Sequence, residues 1–129
     1  MNKTRSFSAL GQALAIVGLI SFATGTRVWA HAFIDHTDPL VGSTIKESPV
    51  EVNLWFTEGL EAGFSNVKVF DAAGKEVDKK NVHVDTKNPK HMSVSLPNSL
   101  SADTYKVVWH AVSVDTHVTD GSFTFTVKP

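Results

Sequence analysis

The 129-residue chain contains no cysteine. That excludes disulfides, and it excludes a thiolate as nucleophile or soft metal ligand. Any metal site must draw on histidine, carboxylates, backbone or an amino terminus, donors that favour Cu(II), Ni(II) or Zn(II) over Cu(I). Methionine is almost as scarce, with Met92 the only one besides Met1. From residue 31 onward there is no strong helical periodicity, no Gly-rich phosphate loop and no Ser-His-Asp order. These gaps remove the usual starting points for a hydrolase or a nucleotide enzyme.

Long apolar runs are confined to the first 30 residues. Lys3 and Arg5 precede an apolar stretch at 13–23, interrupted only by Gly18 and Ser21. Val28 and Ala30 then supply small residues at the −3 and −1 positions of a cleavage site. Residues 1–30 therefore read as a cleaved secretory signal, since the apolar run falls short of the roughly 20 residues a membrane span needs. Cleavage after Ala30 leaves one domain at 31–129. A cut after Ala32 also satisfies the small-residue rule and starts the chain at Phe33. Three of the 12 Lys and Arg lie in the signal and all 13 Asp and Glu lie beyond it, so the exported domain carries 9 against 13, a net −4. That charge argues against nucleic acid as a partner.

The exported region alternates short β-rich runs with turn signals. Residues 50–56 and 66–70 alternate apolar with polar, Val67 and Val69 sharing one face. A turn at 72–75 leads into a short return at Glu76 and Val77. Residues 91–96 place Met92, Val94 and Leu96 inward, and 105–114 and 122–127 supply two further strands. Residues 57–62 could form one helical turn. Trp55, Phe56, Phe64, Phe70, Tyr105, Trp109, Phe123 and Phe125 read as core. About five to seven such strands predict an all-β fold, a small antiparallel Greek-key barrel or sandwich of immunoglobulin-like shape.

All six histidines lie beyond residue 30. Cleavage after Ala30 would free the α-amine of His31 beside its imidazole, two nitrogens able to chelate one ion. Asp115 and His117, spaced i and i+2, would share one face of an extended strand with Cα atoms about 6.5 to 7 Å apart. His31 with Asp115 and His117 gives three nitrogens and one oxygen, the tetragonal set that Cu(II) prefers. The amine, with a reference pKa near 7.7 to 8.0, must lose its proton, so binding releases protons and weakens in acid. His36, after Asp35, could approach that site. His83 and His91 read as surface residues and His110 as half-exposed. Asp71, Glu76 and Asp78 read as a solvated face.

In order along the chain stand His31, Leu54-Trp55-Phe56-Thr57-Glu58, Phe64-Ser65, Tyr105-Lys106-Val107-Val108-Trp109, Ala111-Val112-Ser113-Val114-Asp115-Thr116-His117 and Gly121-Ser122-Phe123-Thr124-Phe125. This series resembles the CopC family of bacterial periplasmic copper-binding proteins across essentially the whole exported region. The resemblance implies a cupredoxin-like or immunoglobulin-like β-barrel and one Cu(II) ion per chain. It implies His31, Asp115 and His117 as ligands, with Glu58 as a further weak ligand or outer partner. It implies a monomeric periplasmic carrier or buffer in copper homeostasis and resistance, not an enzyme. Its implied partners are a CopD-type inner-membrane copper importer or other periplasmic copper proteins. Some members carry a methionine-rich loop for Cu(I); residues 70–77 hold no methionine, which resembles the Cu(II)-only branch. His110 stands where arginine is frequent, and Val118 where proline is common. Two other classes fit parts of the pattern: a copper monooxygenase built on an amino-terminal histidine, and a metal-free immunoglobulin-like adhesion module.

Overall fold

The computed structural model describes residues 34–129, so the expected signal at 1–30 and His31 lie outside the described residues. Eight strands follow one another: β1 (Ile34–Asp38), β2 (Thr44–Ile45), β3 (Glu51–Phe56), β4 (Asn66–Phe70), β5 (His83–Val84), β6 (His91–Ser95), β7 (Asp103–Val112) and β8 (Val118–Val127). They form two four-stranded sheets, β1-β3-β6-β5 and β2-β8-β7-β4. The pairings are antiparallel except that of β2 with β8. This is the Greek-key, immunoglobulin-like sandwich that the alternation predicts.

Period-two alternation puts one face of each strand inside. On β7 Tyr105, Val107, Trp109 and Ala111 are buried, while Thr104, Lys106, Val108 and His110 point outward. Phe123, Phe125 and Val127 of β8 join them, and β3 and β6 contribute Val52, Leu54, Phe56, Met92 and Val94 from the facing sheet. Full burial of such a side chain contributes about 1.5–3 kcal/mol. A core of this kind holds the domain together without disulfides.

The structure departs from the sequence reading in places. β2 and β5 have two residues each, too few for alternation to show. β1 buries only Thr37, so it carries no apolar rhythm. The expected return at Glu76 and Val77 is a single bridge between Phe70 and Glu76. Residues 57–62 form no helical turn: Leu60 bridges Ser113 and is buried, and that gain outweighs a local turn. Phe64 is not core but 71% exposed.

Gly121 faces Trp109 across the β7–β8 ladder. A Cβ added there would lie 2.7 Å from Trp109 Cε2. Trp109 is itself wedged edge-on against Phe56, ring centroids 5.6 Å apart, so it has little room to yield. Gly121→Ala is expected to cost about 1–3 kcal/mol through overpacking, read as a lower denaturant midpoint with an unchanged slope.

Candidate metal centre

The β7–β8 hairpin turns at Ser113–His117. Thr116 N–H donates to the Ser113 carbonyl at 2.9 Å, and Ser113 N–H donates to the His117 carbonyl at 2.9 Å. Thr116 takes a left-handed φ of 72°. Asp115 and His117 therefore converge across a tight turn rather than along an extended strand, which corrects the expected local geometry while keeping the pair together. Their contact is direct: His117 Nδ1 lies 3.2 Å from Asp115 Oδ2.

Glu58 arrives from the other sheet. β3 ends at Phe56, and the chain then crosses to the end of β7, where Gly59 O accepts from Val114 N–H at 2.9 Å and Glu61 N–H donates to Val112 O at 2.8 Å. Buried Leu60 anchors this crossing. Glu58 Oε2 ends 3.9 Å from His117 Nδ1. Among the described residues, Glu58, Asp115 and His117 offer donor atoms that all lie within 4.8 Å of one another. The His117 side chain is 72% exposed and that of Glu58 39%, so the group opens to solvent on the His117 side.

Two observations fit this group to a cation. Glu58 Oε2 is buried and accepts no hydrogen bond. A buried acceptor left unsatisfied costs about 1–3 kcal/mol, more when it is charged, and a bound cation removes that cost. Asp115 is held ready as an anion. The Ser113 hydroxyl donates to its Oδ1, and this bond above all holds the Asp115 carboxyl below the usual carboxylate range. Partial burial opposes the shift, while the contact with Glu58 and the charge of His117 reinforce it. One imidazole and two carboxylates make a borderline-to-hard donor set, suited to a divalent ion and poor for Cu(I).

Ser113 is the residue that the sequence reading missed. It is fully buried; its hydroxyl accepts from His117 N–H at 3.1 Å while it donates to Asp115. It thereby orients both candidate ligands. The signal was present as a polar residue at the inward phase of β7, after Tyr105, Val107, Trp109 and Ala111.

The other histidines lie elsewhere. His36 does not join the group: its ring stacks on Trp55 at 4.3 Å, and its Nδ1 pairs with Asp35 at 2.7 Å. His91 stacks on the opposite face of Trp55 at 4.6 Å and donates to Asn53 Oδ1 at 2.6 Å. His110 pairs with Asp120 at 2.6 Å, and His83 is exposed on β5. β1 begins at the end of the sandwich that holds the group, because Ile34 faces Phe56, two residues before Glu58.

Known proteins share the fold that carries this group. The family model described as the CopC domain matches residues 34–128. The chain is 37% identical over 120 residues to protein YobA of Escherichia coli K12, covering 93% of this chain and 95% of that one. It is 34% identical over 99 residues to the copper transport protein CutJ of Bacillus subtilis, covering 77% of this chain but 18% of CutJ. The structure of PcoC, a methionine-rich copper resistance protein from Escherichia coli, superposes with a TM-score of 0.65 at 34% identity, covering 77% of this chain and all of that one. A two-sheet sandwich carrying an acidic histidine group at its hairpin end, matched over nearly every described residue, places this chain in the CopC family.

Proposed function

We propose that this chain is a periplasmic carrier that holds one Cu(II) ion in copper homeostasis and resistance. Copper binding follows from the family and from the donor group at the hairpin end. The observation that carries the site is the unsatisfied Glu58 oxygen set beside Asp115 and His117. The described donors supply one nitrogen, and a tetragonal Cu(II) site favours more. Cleavage after Ala30 would add the amine and imidazole of His31. Three residues from His31 to Ile34 span at most about 10 Å, and Ile34 stands at the same end of the sandwich as Glu58. In this reading His31, Asp115 and His117 hold the ion and Glu58 lies beside it as a weak ligand or charge partner.

The chain transports or buffers its ion rather than doing chemistry with it. Asp115 would take a position on the ion that an oxygen-activating copper enzyme would keep open for its co-substrate. CutJ supports a link to transport, because there the matched region is 18% of a longer copper transport protein. A CopD-type inner-membrane importer is the matching separate partner, met by a monomeric carrier.

The test is a copper titration of the exported protein, with its intact mass measured first. The mass should correspond to a chain starting at His31. Paramagnetic resonance should then show one Cu(II) per chain with three nitrogens and one oxygen in the plane. A Cu(I)-selective chelator should strip the reduced ion completely, since Met92 has no accessible surface and cannot reach a metal. A Cu(I) complex that survives this competition would overturn the Cu(II)-only reading.

A further inference from the structure

We propose that the metal-centre end of the outer β7–β8 face is the surface on which the copper transporter docks. The proposal rests on the carrier reading above and identifies where that carrier is met. Val112 and Val118 are register partners and both point away from the core. Ser65 donates through its hydroxyl to Val112 O at 3.3 Å and accepts from Val112 N–H at 3.1 Å, which seats Phe64 beside the same row. Phe64 and Val118 are both more than half exposed, as is Val114, two residues beyond Val112. Further along this face polar residues break the apolar run: the next row is the His110–Asp120 pair, and beyond it Val108, 37% exposed, stands alone opposite Ser122 before Lys106 and Thr124.

Four large apolar side chains thus border the turn that carries Asp115 and His117. An exposed phenylalanine contributes nothing to this core, and apolar residues gathered on a surface mark an interaction site. The position says what kind. Val114 precedes Asp115 and Val118 follows His117, so a protein seated on the patch stands beside the most exposed ligand. An incoming donor could then replace His117 while the proposed ligands His31 and Asp115 still hold the ion, so that copper passes without release to bulk water.

Charge selects the partner. Glu58, Glu61, Asp115 and Asp120 border the patch, on a domain of net charge −4. A second copy of this chain would bring like charges together. A transporter surface with an apolar centre and lysine or arginine at its rim is complementary, and such complementarity mainly speeds encounter.

The experiment measures copper transfer from the Cu(II)-loaded protein to a CopD-type importer of the same organism, purified in detergent. Three proteins are compared: wild type, the double variant Phe64→Ser/Val118→Ser, and a control, Leu40→Ser/Val50→Ser, altered at exposed apolar residues beyond the opposite ends of β1 and β3. Substitutions at exposed positions keep stability within about 0.5 kcal/mol, and Cu(II) resonance spectra are recorded on all three before transfer. Unchanged spectra, transfer slowed at least tenfold in the patch variant alone, and a wild-type rate that falls with salt would support the docking face. Transfer at the wild-type rate by the patch variant, equal slowing in the control, or no transfer from the loaded wild type would overturn it. A wild type that takes up no Cu(II) would instead overturn the carrier reading, so the two failures are distinct.

Discussion

One glycine added ahead of His31 is expected to abolish Cu(II) retention against a strong competing chelator while leaving the fold intact. The proposed chelate needs a terminal amine. In a peptide bond that nitrogen has no basic lone pair and must lose its proton before it can bind. The extension therefore removes one of three nitrogen donors and the ring that it closes with the imidazole. A protein starting at Phe33 loses both donors. Each loss is expected to weaken binding at least a hundredfold, about 3 kcal/mol. Stability should not follow, because the strand ladder starts at Ile34 and the core lies between the sheets beyond it. Retention is measured on the three proteins, starting at His31, at an added glycine and at Phe33, beside their denaturant midpoints. Equal retention by all three would falsify the amino-terminal ligand and leave Asp115, His117 and Glu58 to hold the ion alone.

His117→Ala is the second large effect. It removes the one nitrogen that the described group offers, and Cu(II) affinity should fall by at least two orders of magnitude. Asp115→Ala should cost less, on the order of tenfold or about 1.4 kcal/mol, because water can fill an oxygen position. It should also change the resonance spectrum. His117 is mostly exposed, so its loss should leave the unfolding midpoint near that of wild type. The pH dependence separates the two ligands further. Binding should weaken as the nitrogen donors take up protons. Asp115 is not the group that fails first: its pKa is lowered in the folded protein, so its carboxylate persists below the ordinary value near 3.9. Its contribution to folding is likewise present above that ordinary value and lost only as pH falls through the lower folded one. Affinity measured from pH 8 to 5 in wild type and Asp115→Ala should decline in parallel. Two variants that bound copper like wild type would remove both residues from the site.

The fold was legible where burial is one-sided. β4, β6 and β7 alternate, and their inward residues are those expected from the sequence, but on β3 Asn53 is buried between Val52 and Leu54, and Trp55 and Phe70, expected in the core, are only half-buried. β1, β2 and β5 were not legible, because strands of two residues, or a strand burying only Thr37, have no rhythm to read. The exposure of Phe64 was hidden for a related reason. Aromatic residues are core far more often than not, and only the position beside Val112 at the sandwich rim shows this one outside. At the site, the residue types and the spacing of Asp115 and His117 were readable, and so was the pairing of both with Glu58 once the family resemblance was drawn. The turn that joins them was not, because it depends on the left-handed Thr116 and on the hydrogen bonds of Ser113.

By itself the sequence determined an all-β domain without disulfides, a donor inventory that excludes thiolates, and two candidate ligands two residues apart. These are properties of composition and local periodicity, which need no knowledge of what lies across the molecule. Only the tertiary structure decided that the Glu58 placed beside Asp115 keeps an unsatisfied oxygen there, and that His36 is occupied against Trp55 instead. It also decided that Phe64, Val112 and Val118 share one row beside the ligands. These are contacts between distant segments, set by strand register and by the burial of Leu60 and Ser113, and no local pattern encodes them.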